Sequence, residues 1–294
     1  MASRLVHAAL AERSGAAGAL LLAAMALLAL AAPLLAPGDP LDLAGRPMLP
    51  AFADAALPLG TDRLGRSIFA GLVHGARASL ATGLCVAAVA LCVGASAGAV
   101  AGMLGGVADE AIMRLADAVQ TIPSFLLAMA IVSVAGPSPV AVVAALSAGT
   151  WTATARIVRA EVASLRERQF VEASRLCGRH PLAIAFAVVL PNALSPAISL
   201  AAVVVAGAIL SESALAFLGL SDPNRASWGA MIAEGRSVLR SAPHVILAPG
   251  LALFATIFAV SLLGEGVARA LAARGGRAGQ PRAPRASRAS RMVM

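Results

Sequence analysis

Long apolar segments are the feature that most limits how this chain can fold. We predict that six of them cross a membrane, at about residues 16–35, 79–104, 121–135, 140–158, 194–211 and 245–263. A helix of about 20 residues rises about 30 Å, which matches the hydrocarbon thickness of a bilayer. No Asp, Glu, His or Arg lies in the middle of a predicted span. The sequence therefore predicts an all-α, polytopic membrane protein with six transmembrane helices.

Composition supports this fold class and excludes one activity. Of the 294 residues, 59% are hydrophobic and 13% are charged, which leaves too little polar surface for an ordinary soluble domain. All of the basic residues are arginine, because the sequence contains no lysine. A P-loop requires the lysine of GxxxxGK[ST], so we expect no ATP site of that kind.

The polar segments divide the chain into four parts. Residues 1–36 hold a short polar tail and the first span, although a cleaved signal peptide is a competing interpretation because Ala29-Leu30-Ala31 resembles a cleavage site. Residues 37–78 form a loop rich in Pro, Gly and Asp. Residues 79–270 form a core of five further helices, and residues 271–294 form a basic tail that we predict to be disordered.

One long charged segment, 151–192, interrupts the apolar core. Its part from Arg156 to Arg179 carries six arginines and three glutamates without a proline, which predicts a helix. Gly178 suits the left-handed position after a helix end, and Pro181 suits the start of a second helix. We expect Pro191, Asn192 and Pro196 to break the apolar run that follows, which leaves 182–190 in a polar loop of about 159–192.

Arginine counts predict the orientation. If both termini lie inside, the inner segments hold two, one, six and seven arginines in chain order, and the outer loops hold four and three. Positive residues favour the cytoplasmic side of a membrane. We therefore expect the charged segment and both termini to be cytoplasmic, with 37–78 outside.

The second span carries glycines at four-residue intervals, Gly94, Gly98 and Gly102. Such a ridge allows another helix to approach closely in lipid. The same stretch also matches GxSxG around Ser96, which makes a membrane serine enzyme an alternative. That motif requires a strand-to-helix elbow with His and acidic partners, and neither is visible in the sequence.

Other catalytic or metal-binding patterns are absent from the sequence. The three cysteines (Cys85, Cys92 and Cys177) have no metal-ligand spacing, and we interpret them as ordinary residues, the first two as small packing residues. The four histidines are scattered and form no HExxH. We therefore expect no catalytic residue, metal or cofactor, and no nucleic-acid partner.

The charged segment resembles the EAA loop of ABC importer permeases. That pattern, EAA, three residues, Gly, nine residues, Ile, one residue, Leu-Pro, is matched by Glu172-Ala173-Ser174, Gly178, Val188 and Leu190-Pro191. Ser174 and Val188 depart from it. The flanking stretches WxxxAR, VR and SLRERxFVEA are similar to the dipeptide, oligopeptide and nickel branch of that family.

Further stretches outside the charged segment resemble the same branch. They are GTDRLGR and GARASL in the first loop, DxxxMRxxDxxxxIP from Asp109 to Pro123, ESALAFLGL from Glu212 to Leu220, and SWGAM from Ser227 to Met231. Ser67, Ala216 and Ser221 depart from the usual residues. The resemblance covers the chain from Gly60 to Gly266.

The resemblance implies a type I ABC importer permease in a cell inner membrane. Its expected partners are a second permease subunit, two cytoplasmic ATPases that carry the ATPase activity, and an extracytoplasmic binding protein. Glu172 is then the charged contact or helix anchor, Ala173 and Ser174 the packing face, Gly178 the turn, and Leu190-Pro191 the end of the loop that couples to the ATPase. We expect peptides as substrate, with nickel or another small solute as the alternative.

An independent channel is a third possibility besides the permease and the serine enzyme. The arginines of the 271–294 tail are also expected either to contact anionic membrane lipid or simply to be solvated.

Overall fold

The computed structural model describes residues 10–278, with side chains described as far as residue 271. The helices in this part of the chain are α1 (Arg13–Leu35), α2 (Ile68–Leu104), α3 (Gly106–Gln120), α4 (Ser124–Ala135), α5 (Pro139–Arg166), α6 (Gln169–Leu176), α7 (Pro181–Ile184), a π-helical turn (Ala185–Val189), α8 (Leu190–Phe217), α9 (Trp228–Gly235), a 3₁₀ turn (Arg236–Val238) and α10 (His244–Ala278). Among the described residues the only β pairing is two isolated bridges within the first loop. The all-α prediction is therefore confirmed.

Five helical segments are long and apolar enough to cross a membrane: α1, α2, α5, Pro181–Phe217 and His244–Leu271. A sixth crossing requires α3 and α4 together, and these helices are bent by 82°. The predicted third span, 121–135, is in fact the 12-residue helix α4, which rises only about 18 Å. Pro123 disfavours helical backbone in the residue before it, which explains the break.

The predicted single helix from Arg156 to Arg179 is two helices. Helix α5 ends at Arg166, Arg168 is extended (φ −83°, ψ 146°), and α6 begins at Gln169. The turn brings Val171 into the apolar cluster of α2, α5 and the π turn, where it is fully buried. Burial of this side chain favours the turn over a straight continuation into water.

The expected break at the prolines is also wrong. The chain is helical from Pro181 through Phe217, and one π-helical turn rather than a loop precedes Leu190. Pro191 lies in the first turn of α8, where its missing N–H is not needed. Pro196 lies inside α8, a position that transmembrane helices tolerate.

Two boundaries and one interpretation are also corrected. Helix α2 starts at Ile68 rather than near residue 79, because the Ser67 hydroxyl accepts a hydrogen bond from the Ala70 N–H at 3.3 Å and caps the helix. Helix α10 continues to Ala278, into the segment predicted as a disordered tail, and residues 279–294 lie outside the described part. Cys85 and Cys92 are exposed on α2, so they are not packed against another helix within the part of the chain that the structure describes.

The helices form a bundle around α2, which packs along α5, α8 and α1, while α1 also packs along α10. The core is rich in alanine and glycine, so the helix backbones lie close together. The bundle has two ends. We call the end with residues 36–67 and 218–243 the loop end, and the end with α3, α6 and α7 the α6 end.

Candidate functional site

Helix α6 lies at the α6 end, outside the apolar bundle. Its one buried residue is Val171. Glu172 and Ala173 point away from the bundle and are exposed, and Ser174 is half-buried, with its hydroxyl donating to the Phe170 carbonyl at 2.9 Å. The first three residues of the predicted motif therefore occupy one short helix with the acidic side chain free to contact another molecule.

Gly178 ends this helix in a left-handed conformation with φ of +72°. Its N–H donates to the Arg175 carbonyl at 2.9 Å, and the Arg179 N–H donates to the Ser174 carbonyl at 3.4 Å. These two bonds are those of a Schellman motif. A Cβ on Gly178 would meet nothing within 4 Å. The glycine is therefore required by its backbone conformation and not by crowding.

The two remaining motif residues follow the π turn. Leu190 is half-buried and packs against the cluster that also contains Val171, whereas Pro191 is exposed. The His180 ring accepts the Leu182 N–H at 3.3 Å and caps α7, which contacts α6. The structure thus joins Glu172 through Pro191 into one surface element, but only its apolar side chains are held by the bundle.

We define the α6 surface as the exposed residues of α6, of the turn 177–180 and of α7. Leu176 is 85% exposed on it, and Phe170 and Leu182 are also exposed. Arg175 and Arg179 lie beside these apolar side chains and are exposed as well. Large apolar side chains mixed with arginine are typical of protein–protein contacts. This arrangement can bind another protein.

Sequence reasoning missed the ion pairs that hold α3 against α5. Arg159 donates two hydrogen bonds to the Asp109 carboxylate, at 2.5 and 2.6 Å, and Arg156 pairs with Asp117. The Gln120 amide also donates to the Thr152 hydroxyl at 2.8 Å. Both partners of each pair lie in stretches that the resemblance singled out. The opposite charges of those stretches were the available signal.

The glycine ridge lies where α2 crosses α5. A Cβ at Gly94, Gly98 and Gly102 would come within 2.5, 2.4 and 2.7 Å of the backbone oxygens of Trp151, Ala155 and Arg159, respectively. Contacts this short between a Cβ and backbone do not occur in real structures. Glycine at all three positions is what allows the two backbones to touch.

A cleft of about 280 Å³ lies at the loop end. Its lining includes Asp62, Arg66, Ser227 and Glu234, so the GTDRLGR and SWGAM stretches meet there. Arg66 and Glu234 form an ion pair at 3.4 Å. Burial raises the pKa of the Glu234 carboxyl above its ordinary range; Arg66 opposes this shift and Asp62 adds to it.

The serine-enzyme alternative has no support in this geometry. The GxSxG stretch from Gly94 to Gly98 lies inside the continuous helix α2, and not at the elbow that the motif requires. Ser96 is exposed on that helix. Within the described residues, no group of three His, Cys, Asp or Glu side chains is placed to hold a metal ion.

Comparisons with known proteins agree with this geometry. Relatives include a di/tripeptide transport system permease protein of Pseudomonas aeruginosa, 38% identical over 72% of this chain and 71% of the relative. A probable peptide ABC transporter permease protein of Sinorhizobium fredii is 44% identical over 72% of this chain and 73% of its own length. A glutathione transport system permease protein of Pectobacterium atrosepticum is 36% identical over 72% of this chain and 71% of its own length.

Similarity in structure extends to a more distant protein. A chain of the MetNI methionine ABC transporter, in an inward-facing conformation, aligns with a TM-score of 0.54 at 19% identity, covering 68% of this chain and 96% of that one. This likeness shows a shared fold. The family described as binding-protein-dependent transport system inner membrane component matches residues 94–275. The resemblance is thereby confirmed, and this chain belongs to the family of inner membrane components of binding-protein-dependent transport systems.

Proposed function

We propose that this chain forms the translocation path of an ATP-driven peptide importer and receives its driving force through the α6 surface. The observation that carries the proposal is α6 itself, a short helix whose Glu172 and Leu176 are exposed beyond the apolar bundle. Phe170, Leu176 and Leu182 are all exposed on the α6 surface, and several exposed apolar side chains on one surface are typical of a protein contact. The partners are two cytoplasmic ATPase subunits.

The energy must come from such a partner. Shifting a two-state equilibrium from 1:99 to 99:1 requires about 5.5 kcal/mol of differential binding. This chain has no lysine and hence no P-loop, so it has no ATP site of that kind. The α6 surface is rigidly tied to the bundle through Val171 and Leu190, so movement of an attached ATPase is transmitted to the helices.

The orientation follows from charge. The α6 end carries the six arginines between Arg156 and Arg179. Positive residues are retained on the cytoplasmic side, so α6 faces the cytoplasm and the loop end faces outward. Both termini are then cytoplasmic. An extracytoplasmic binding protein delivers substrate at the loop end, and a second permease subunit completes the path.

Peptides are the proposed substrate because the relatives with 36 to 44% identity are named as di/tripeptide, peptide and glutathione permeases. Nickel has no comparable support, since no metal-binding group is found among the described residues.

The test compares two substitutions on the α6 surface with matched controls. Glu172→Lys reverses the exposed charge, and Gly178→Val forces a β-branched residue into the left-handed turn. We expect membrane abundance near that of the wild type, a more than tenfold loss of peptide uptake, and weaker co-purification of the ATPases. Uptake is measured with labelled dipeptide in cells that carry the complete transporter.

The controls apply the same chemistry elsewhere. Gly136→Val also forces valine into a positive-φ position with no atom within 4 Å, one that is at least as unfavourable for a side chain (φ +85°, ψ 153°), but at the loop end. Glu265→Lys reverses an exposed charge on α10, outside the α6 surface, and also breaks the ion pair of Glu265 with Arg269, which makes it a strict control. Both controls should transport normally. Wild-type uptake and ATPase binding in both α6-surface variants would refute the proposed coupling role.

A further inference from the structure

A carboxyl group lies buried inside the bundle, which the sequence did not predict. Glu212 is one residue beyond the expected end of the fifth span, yet α8 continues to Phe217 and encloses it. Glu212 is 5% exposed. The predicted fifth span therefore ends one residue short of a buried carboxyl.

Hydroxyl groups from α2, from α8 and from the N-cap of α9 surround this carboxyl. Ser79 of α2 donates to Oε2 of Glu212 at 3.2 Å, and Ser213 donates to the same oxygen at 3.4 Å. The Ser227 hydroxyl, which caps α9, lies beside the carboxyl as well. All three serines are at most 5% exposed. We call these four residues the Glu212 latch.

The latch lacks a compensating positive charge. Among the described side chains, no Arg or His forms an ion pair with Glu212. A buried carboxyl without a cation is expensive, and hydrogen bonds of 3.2 and 3.4 Å are long and therefore weak. A well-packed apolar residue would give a more stable helix contact here. The hydroxyl contacts therefore add only weakly to the packing that holds α2, α8 and α9 together.

What the latch holds is the start of α9. Trp228 is 1% exposed, and its Nε1 donates to the Leu72 carbonyl of α2 at 3.0 Å. A Cβ on Gly229 would lie 2.4 Å from the Ser213 carbonyl oxygen of α8. Helix α9 has only eight residues and follows a loop that starts at the left-handed Gly219. Its remaining contacts, through Met231 with α2 and through Gly235 with α10, would persist after release of its first turn, so we expect α9 to pivot about them.

This first turn also forms part of the loop-end cleft. Ala226 and Ser227 line the cleft, and Ala226 is only 9% exposed. Release of Ser227 and Trp228 from α2 would open the cleft toward the helices that the substrate has to pass. Ser227 thus lies between the cleft, which it lines, and the buried carboxyl of Glu212.

We propose that Glu212 is a positioning residue whose hydroxyl contacts keep α9 closed on α2 and α8, and that this contact opens during transport. The opening of the contact during transport rests on the proposed transport function. The closed contact of α9 with α2 and α8 does not. Removal of one hydroxyl group of the Glu212 latch should make Ala226, which lines the cleft, more accessible to solvent. The rest of the bundle should stay as tightly packed as before.

The experiment measures maleimide labelling of Ala226→Cys in a chain whose three native cysteines are replaced by serine. The transporter is reconstituted in lipid nanodiscs, where the reagent reaches both faces. Without ATP, Ser79→Ala should raise the labelling rate roughly three- to tenfold, as expected for one lost hydrogen bond, whereas Glu212→Gln keeps an oxygen that can accept from Ser79 and Ser213 and should raise the rate less. Ser147→Ala is the matched control, since Ser147 is a buried serine of α5 whose hydroxyl has no partner.

A second reporter separates a local latch from general instability. Val162→Cys lies in a fully buried position of α5, in an apolar cluster that contains no residue of α9 or of the latch, and should stay protected in every variant. Equal labelling rates at Ala226→Cys in Ser79→Ala and the reference chain overturn the proposal. Faster labelling at both reporters also overturns it, because the serine would then only stabilise the bundle.

Labelling during ATP-driven transport tests whether the contact opens. With ATP, binding protein and dipeptide, Ala226→Cys should label faster in the reference chain. Protection that persists although the same complex, reconstituted in parallel in sealed liposomes, takes up dipeptide overturns the opening step and leaves the proposed function intact. A complex without uptake refutes the proposed function, and the labelling without ATP still decides whether the latch exists.

Discussion

The glycine ridge of α2 and Gly178 at the end of α6 use the same residue for opposite reasons. On the ridge the backbone is ordinary α-helix, and glycine is required because a Cβ would collide with α5 at 2.4 to 2.7 Å. At Gly178 the space is empty, and glycine is required because φ is +72°. The first region depends on a neighbour far away in sequence, and the second depends only on its own turn.

Because of this difference, we expect substitutions on the ridge to change the stability of the bundle and substitutions at Gly178 to change the function of the α6 surface. Crowding at the ridge fixes how closely two long helices pack, so a change there acts on the whole bundle. Conformation at Gly178 fixes only the direction in which the chain leaves α6, so a change there acts on the α6 surface. Identical Gly-to-Ala substitutions in the two regions can test the comparison directly.

The largest effect is expected for Gly98→Ala. Its new methyl carbon would lie 2.4 Å from the Ala155 oxygen, so α2 and α5 must separate, at a cost of about 1–3 kcal/mol. Thermal unfolding of the detergent-purified protein should show a lower midpoint and a lower folded yield. Gly207→Ala, on an exposed face of α8 with nothing within 4 Å, should be neutral or slightly stabilising. A normal midpoint for Gly98→Ala would contradict the crowding argument.

A smaller effect is expected for the ion pair beside the ridge. Arg159 and Asp109 are 43% and 20% exposed, so solvent screens the pair and its contribution is about 1 kcal/mol. Asp109→Asn and Arg159→Gln should each lower the unfolding midpoint modestly. In a double-mutant cycle the two losses should not add, and the coupling should shrink in high salt. Fully additive losses would show that the pair contributes nothing.

Gly178→Ala should leave the bundle unchanged. An alanine in the left-handed region costs roughly 1 kcal/mol, and this strain falls on the last turn of α6 alone. Hydrogen exchange should speed up at the amides of Gly178 and Arg179, which close that turn, while the unfolding midpoint stays at the wild-type value. A midpoint drop equal to that of Gly98→Ala would erase the distinction between the two regions.

The smallest effect concerns pH at the loop end. Because the pKa of Glu234 is raised in the folded protein, the stability it contributes is present below the ordinary glutamate pKa of about 4.3 and is lost as pH rises through the folded value. Glu234→Gln should therefore make the unfolding midpoint slightly less sensitive to pH between about 4 and 7. Unfolding midpoints across this range check the sign, and a steeper dependence in the variant would contradict it.

Sequence patterns predicted the structure correctly where it depends only on residues that are close together in the chain. The apolar runs predicted five of the spans, because backbone groups in a bilayer must bond within their own helix. The left-handed turn at Gly178 followed from one glycine after a helical segment. Local signals failed at Arg168, where an extended residue replaces the predicted continuous helix, and at Pro196, which the helix tolerates. Burial of Val171 decided the first position, and the tolerance of transmembrane helices for proline decided the second.

By itself the sequence determined five of the membrane-spanning segments, the left-handed turn at Gly178, and the family to which the chain belongs. Only the tertiary structure decided that Asp109 meets Arg159, that Gly98 lies against Ala155, and that Ser79 reaches Glu212 across 133 residues of chain. The physical reason is that a residue's own backbone preferences act within one turn. Burial and pairing depend on which distant surface packs against it, and that is settled only when the helices assemble.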